Sequence, residues 1–332
     1  MELQIGKVPN DILNRLVIGK YANRSERMVL SPGVGEDFGV LDFGDEYCVV
    51  SGDPITGATK QIGKYAVQIA CNDIATCGVK PIAVLTTLLL PPGVTEAELG
   101  GLIDEIAHTA DTLDVCVIGG HTEVTDAVNR IVVSVTAIGA AKRGQLIITG
   151  GALDGDALVM TKSAAIEGAS ILASEREAEL TERFGKEPVE SIKKLSDNIS
   201  VVEEGVIAGS FGAHAMHDVT EGGVLGAAWE MAEASGKGII VRSGEICVLD
   251  ETRAVCEYLG VDPLRLISSG SMLIATEKPD ELIDLLNDAG IFAKKIAIFT
   301  KNPEERLILD REGNKAALGQ PGPDELYNAL NT

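Results

Sequence analysis

Six acids stand at the ends of would-be secondary elements: Asp37, Asp53, Asp73, Glu123, Asp218 and Glu221. Four of them, Asp37, Asp53, Glu123 and Asp218, follow a strand-like run or a glycine turn, where ligand sites gather. Asp73 is placed differently. In the helical stretch Lys60–Pro81, advancing about 100° per residue from Ile62 puts Ala66, Ile69, Ala70 and Cys77 in one apolar sector, with Asp73 inside it. A carboxylate on a buried helix face costs several kcal/mol unless something pairs with it. Each acid alone also reads as a cap or turn residue. Together they favour a multi-metal phosphate site, with Mg2+ as the natural cation for oxygen ligands. Lys162 ends an apolar strand before a Ser- and Gly-containing turn, where its ammonium would either meet a phosphate or snorkel to water.

Other chemistries find less support. Gly63-Lys64-Tyr65 lacks the hydroxyl residue of a phosphate-binding loop, and no G-x-S-x-G elbow occurs. His214 and His217 do not form H-E-x-x-H, so His214 is expected to pack against its strand neighbours rather than to hold zinc. The glycines of Ser31–Val40 run G-x-G-x-x-x-G with no helix pattern following, which excludes a dinucleotide fingerprint. The six cysteines (Cys48, Cys71, Cys77, Cys116, Cys247, Cys256) show no C-x-x-C spacing, and most lie in apolar runs.

These residues need elements to position them. The chain has 332 residues, room for two domains and a real core. Residues 1–30 read as a leader with one short helix near Pro9–Lys20. A strand over Tyr47–Asp53 leads to the 60–81 helix, which Gly78 and Pro81 stop. A strand follows over Ile82–Leu90, then a helix to Leu113 that Thr95 and Glu98 open as a capping box. A short buried strand Val115–Ile118 should end in Gly119–Glu123, with another strand over Asn129–Ala140. The glycine-rich turn Gly150–Gly155 reads as the boundary between domains 1–150 and 151–332. Beyond it come a strand at Ala157–Thr161, charged helices through 174–209 and a helix at Val224–Ser235. Strands near Ile239, Ser271–Thr276 and Lys294–Thr300, with a helix at Pro279–Ala289, complete the chain.

A net charge of −22 argues against a nucleic-acid partner. No apolar run reaches the ~18–20 residues of a membrane helix, and no export pattern opens the sequence. The expectation is a soluble, cytoplasmic protein with no membrane partner.

The motifs, taken in order, resemble the aminoimidazole-ribonucleotide synthetase superfamily of ATP-using enzymes. Gly35-Glu36-Asp37 is similar to its Gly-Asp-Asp turn, and Ser51-Gly52-Asp53 to its Thr-Thr-Asp strand end. Asn72–Pro81 (NDIATCGVKP) is similar to Asn-Asp-Ile-Ala-Ala-Met-Gly-Ala-x-Pro. Gly119–Glu123 (GGHTE) occupies the place of Gly-Gly-Asp-Thr or Gly-Gly-His-Ser, and His217–Gly223 (HDVTEGG) that of Asp-x-Thr-x-Gly-Gly. Within the superfamily the chain looks most like the HypE-like hydrogenase maturation proteins. Those carry a substrate carboxamide on a C-terminal Pro-Arg-Ile-Cys thiol. This chain reads Asp324–Thr332 at its end, and its last cysteine is Cys256.

The resemblance implies an α+β fold of two domains, an N-terminal mixed β-sheet domain that binds ATP and pairs with its copy, and a C-terminal α+β domain. It implies ATP and Mg2+ as cofactors, a homodimer, a small-molecule acceptor and a maturation-type protein partner. Asp37, Asp53, Asp73, Glu123 and Asp218 would hold metal, with Glu123 substituting where His121 replaces an acid. Gly35, Asn72, Gly120, His121, Thr122, Thr220, Glu221 and Gly222 would join the nucleotide site. Asp73 and Asp218, with Lys162, would carry the chemistry. The function expected is ATP- and Mg2+-dependent phosphorylation of a small acceptor, or its dehydration through a phosphorylated intermediate. The alternative is a nucleotide-binding scaffold or sensor of the same fold without turnover.

Overall fold

The computed structural model describes residues 3, 8–21, 25–33, 35–55 and 60–331. The leader expected over residues 1–30 lies partly outside that set. The first half runs α1 (Asn10–Leu16), β1 (Met28–Leu30), β2 (Gly39–Asp42), β3 (Glu46–Ile55), α2 (Ile62–Ala75) and β4 (Pro81–Leu90). It continues with α3 (Glu96–Leu113), β5 (Cys116–Val124) and β6 (Val132–Lys142). The second half opens with β7 (Ala157–Thr161), α4 (Ile166–Glu175), α5 (Glu177–Phe184), α6 (Lys186–Lys193) and α7 (Val202–Phe211). Next come β8 (Ala215–Asp218), α8 (Gly223–Ala234), β9 (Gly238–Arg242), α9 (Asp250–Leu259) and β10 (Met272–Thr276). Then α10 (Pro279–Asp288), β11 (Ala293–Thr300), β12 (Arg306–Leu309), β13 (Lys315–Ala317) and α11 (Glu325–Asn331) close the chain.

Two mixed sheets result. The first is ordered β1-β2-β3-β6-β4-β5, antiparallel except for the β4–β5 pair, whose crossover is α3. The second is ordered β13-β12-β9-β11-β7-β10-β8, with β12 and β9 as its parallel pair. Strand β7 lies between β11 and β10, and all its residues are buried, which explains its unbroken apolar sequence.

Helix α2 joins the halves. It packs on β3, β6 and α3 on one side and on α7 and β8 on the other. Its apolar residues belong to one core with Val159, Met216, Met272 and Ile274 of the second sheet. Val67, Ala70 and Ile74 are fully buried, and a side chain such as Val67 or Ile74 is worth about 1.5–3 kcal/mol when withdrawn from water. Helix α7 reaches α2 through glycines. A Cβ on Gly205 would lie 2.3 Å from the Ala75 carbonyl oxygen, and one on Gly209 would lie 2.5 Å from that of Gly78.

The capping box of α3 forms as the sequence predicts: Glu98 N donates to Thr95 Oγ1 at 3.2 Å and Thr95 N to Glu98 Oε2 at 2.8 Å. The expected end of β5 at Ile118 does not occur, and the strand, expected to be buried, is the exposed edge of the first sheet. The strand runs on through Gly119 and Gly120 to Val124, held by parallel pairing with β4. Gly120 makes this passage because a Cβ there would sit 1.9 Å from the Thr86 carbonyl oxygen, at a φ of +150°. Likewise β3 extends past Asp53 to Ile55, since β6 continues to pair with it.

Candidate functional site: a carboxylate cage

Two strands and a turn converge on the last turns of α2. Asp73 is 4% exposed, and Asp218, the last residue of β8, is 1% exposed. Asp37 lies in the turn before β2, and Asp53 near the end of β3. Burial first, then the charges of Asp218, Asp53 and Asp37, push the Asp73 carboxyl well above the ordinary carboxylate range. Ser51 Oγ lies 2.8 Å from the Asp37 carbonyl oxygen and 2.5 Å from Asp73 Oδ2. The Ser51 hydroxyl is the donor to this pair of acceptors, and it ties the Asp37 turn to the Asp73 carboxylate. Glu36, beside Asp37, is pushed up to about 7 by burial and by Asp37, against the opposing pull of His217.

The positive charge facing these acids is His217. It is 3% exposed, with Nδ1 2.7 Å from Asp37 Oδ2 and Nε2 3.1 Å from Glu230 Oε2 on α8. Burial opposes the imidazolium, but Asp37 and Glu230 together outweigh it and hold the ring charged well above the usual histidine range. Ligand atoms of Asp37, His217 and Asp218 lie within 4.8 Å of one another. Both His217 nitrogens are committed to Asp37 and Glu230, so the donors for a cation are the crowded carboxylate oxygens, which suit a hard divalent ion such as Mg2+.

Of the residues expected at the site, Asp37, Asp53, Asp73 and Asp218 come together here, with Gly35 in the adjoining turn. Asn72 turns elsewhere: its Nδ2 donates to the Ile199 carbonyl at 2.8 Å and its Oδ1 accepts from Val201 N at 2.8 Å. Gly120, His121, Thr122 and Glu123 lie on exposed β5, where His121 Nε2 is 3.4 Å from Glu123 Oε2. Lys162 Nζ is 2.6 Å from Glu204 Oε1 and donates to the Ser200 carbonyl at 2.6 Å. It lines a cleft of about 690 Å³ with Ser163, Glu203, Cys247 and Phe292. Gly222 N donates to Asp324 Oδ2 at 2.7 Å, and Glu221 Oε1 accepts from the Tyr327 hydroxyl at 3.1 Å. Thr220 sits in the same turn, half-buried. His214, expected to pack in its strand, pairs with Asp156 at 2.9 Å.

Sequence reasoning did not single out Ser51, His217, Glu36 or Glu230 as site residues. Ser51 and His217 lay inside quoted motifs, and a buried polar position next to a motif acid was the available signal. Glu230 gave none, because only the α8 fold-back brings it to His217.

The sequence of the AIR synthase related N-terminal domain matches residues 35–141, and that of the C-terminal domain matches 154–310. A putative hydrogenase expression/formation protein of Methanocaldococcus jannaschii is 32% identical over 334 residues, covering 96% of each chain. The chain belongs to the AIR synthase related family. This AIR synthase related protein is also 27% identical over 279 residues to the carbamoyl dehydratase HypE of Rhodobacter capsulatus, covering 81% of this chain and 78% of that one. Its fold matches HypE in a HypE–HypF complex, with a TM-score of 0.78, 19% identity and coverage of 93% and 99%. It also matches HypE in complex with ATP, with a TM-score of 0.69, 17% identity and coverage of 97% of both chains. The two-domain α+β architecture is that of HypE structures.

Proposed function

We propose that this protein is an ATP- and Mg2+-dependent enzyme of HypE type, activating a small carbamoyl- or amide-bearing acceptor by phosphoryl transfer and dehydration. The observation that carries the proposal is the cage in which Asp37 and the exposed Asp53 close on the buried Asp73 and Asp218, with the Asp73 carboxyl driven upward by burial and by its neighbours. Such a cluster is stable at neutral pH with a proton or a cation between its members. Bound Mg2+ would neutralise and orient phosphate oxygens, the main requirement of phosphoryl transfer. The chain's own part is to hold those carboxylates in place and exclude water around Asp73. A relative named carbamoyl dehydratase and a solved ATP complex of the same fold support the choice of reaction and nucleotide.

In this reading the nucleotide site spans the turn at Gly35 and the Thr220–Gly222 turn, and the division between domains falls near residue 150. The acceptor lies in the cleft at Lys162, whose ammonium and the Glu204 carboxylate offer one donor and one acceptor to an amide. A second copy of the chain covers the open edge of the first sheet. There β5 exposes Val117, Ile118 and Val124 at 46%, 57% and 60%, an apolar unpaired strand of the kind proteins cover. That pairing is what would bring His121, Thr122 and Glu123 to a nucleotide. A maturation-type partner follows from the HypE–HypF precedent. Among the described residues no helix is long and apolar enough to cross a membrane. All six cysteines are free, and we place the protein in the cytoplasm.

The deciding experiment is ADP release with Mg2+ and ATP across carbamoyl compounds, amides and phosphorylated metabolites. Acceptor-dependent release is the expected result. Slow hydrolysis indifferent to every acceptor would favour the scaffold alternative, and absence of Mg2+-dependent ATP binding would overturn both.

A further inference from the structure

Asp37 is held from an unexpected direction. Its turn belongs to the first half of the chain, yet its carboxylate is fixed by His217 at the end of β8, in the second half. His217 in turn is fixed on its other nitrogen by Glu230, two turns into α8. All three groups are largely shielded, with side-chain exposures of 14% for Asp37, 3% for His217 and 11% for Glu230. The turn also rests directly on Glu230: a Cβ at Gly35, where φ is +81°, would lie 3.5 Å from Glu230 Cβ. Glycine is what lets the backbone turn there with φ positive and still approach the α8 side chain.

A histidine with one nitrogen on each of two carboxylates has its ring plane set by both. Remove the outer carboxylate and the ring keeps a partner but loses its second anchor. Metal-ligand geometry is commonly set this way, by a residue behind the one that touches the ion. Here the chain is Glu230 to His217 to Asp37, and the group at its end is the carboxylate. With Oδ2 of Asp37 committed to the imidazole, Oδ1 is the oxygen that the relay assigns to the cation.

We propose that Glu230 is a positioning residue, acting through His217 to present a single oxygen of Asp37 to the cation of the carboxylate cage. This deepens the functional reading above and rests on it for the identity of the cation. Glu230 touches neither cation nor nucleotide. Its influence reaches them only while His217 spans the two carboxylates, and this makes the effects of the two residues inseparable.

The test is a double-mutant cycle on the full-length protein, read by Mn2+ titration without nucleotide (Mn2+ water-proton relaxation) and by calorimetry with Mg2+-ATP. Glu230→Gln keeps size and hydrogen bonding but removes the charge. His217→Asn keeps an amide donor near the Nδ1 position toward Asp37 but cannot reach Glu230. Glu230→Gln is expected to weaken Mn2+ binding roughly 5- to 20-fold, with its melting temperature near that of the wild type. His217→Asn should weaken it similarly, and the double variant no further than His217→Asn alone. Independent, additive losses would overturn the relay, since residues acting through one another do not add. So would a Glu230→Gln protein that binds Mn2+ like the wild type. A wild type that binds Mn2+ but not Mg2+-ATP would overturn the functional reading and leave the relay standing. A wild type that takes up no cation would overturn both. If Glu230→Gln fails to fold, Glu230→Asp, which shortens the reach but keeps the charge, gives the same cycle.

Discussion

Two buried charged centres lie close in the sequence logic of this protein and differ in kind. In the cage, Asp73 is surrounded by Asp37, Asp53 and Asp218, and its pKa rises because like charges and burial act together. At the cleft, Lys162 and Glu204 form an opposite-charge pair at 2.6 Å, with side-chain exposures of 12% and 2%. Burial raises Glu204 as well, but the lysine opposes that rise. One centre is incomplete without an added positive charge, and the other is complete as built. The two are also mechanically joined. Asn72, next to Asp73, grips the backbone at Ile199 and Val201, and the Ser200 carbonyl between them accepts from Lys162.

That contrast can be broken most forcefully at the complete centre. Lys162→Met leaves Glu204 buried without its cation and is expected to cost about 3–5 kcal/mol of unfolding free energy in urea. Adding Glu204→Gln should restore much of the loss, and a Lys162→Met protein of wild-type stability would show the pair to be dispensable. The incomplete centre should respond in the opposite way. Asp73→Asn removes a repelled charge at nearly constant shape, so the metal-free protein is expected to be no less stable. Its Mg2+-ATP affinity should fall roughly 10- to 100-fold, about 1.4–2.7 kcal/mol by calorimetry. Unchanged affinity would remove Asp73 from the site.

The pH dependence sharpens the same comparison. Glu36 in the cage and Glu167 in the core both titrate near 7, above the ordinary value of 4.5. Carboxyls raised in the folded state bind protons more tightly there, so their stabilising effect is present at low pH and fades as pH climbs from the unfolded value through the folded one. His217, also raised, acts in the same sense: its contribution is complete below the usual histidine value and is lost above its folded one. The metal-free protein should therefore melt several degrees higher at about pH 5 than at about pH 8. Saturating Mg2+ should shrink that difference by supplying the missing charge, and a melting temperature that rises over this range would contradict the assignment. The smallest effect is expected outside both centres. Thr95→Ala breaks the α3 capping box and should cost about 1 kcal/mol with no change in nucleotide affinity.

What could be read in advance follows the range of the interactions involved. The capping box of α3, the buried strand β7 and the acid in the apolar sector of α2 are local patterns, and each appears where the sequence puts it. The course of β5 through Gly119 and Gly120 was not legible, because paired glycines read as a turn. Only the parallel ladder on β4 keeps the strand going. Strands β12 and β13 and helices α9 and α11 were passed over, although α9 buries Val255 and Cys256 on one face. In the site, four aspartates were legible as acids at element ends. Glu230 was not, since His217 meets it only when α8 folds back along β8. Asn72, adjacent to Asp73, was expected beside the nucleotide. Its position fully inside the core, with both amide groups bonded to the 199–201 backbone, depends on packing that no local motif encodes.

The glycine contact between α2 and α7 has a mechanical consequence. With Gly205 against Ala75 and Gly209 against Gly78, backbone meets backbone and there is no side-chain layer to rearrange. Sliding one helix along the other by even part of a turn would drive Cα atoms into carbonyl oxygens. Backbone contact therefore opposes shear at this seam, which lies between the two halves of the chain. On the proposed function, an opening that admits a nucleotide would come from the peripheral turns around the cage, over a floor beneath Asp73 that this seam holds.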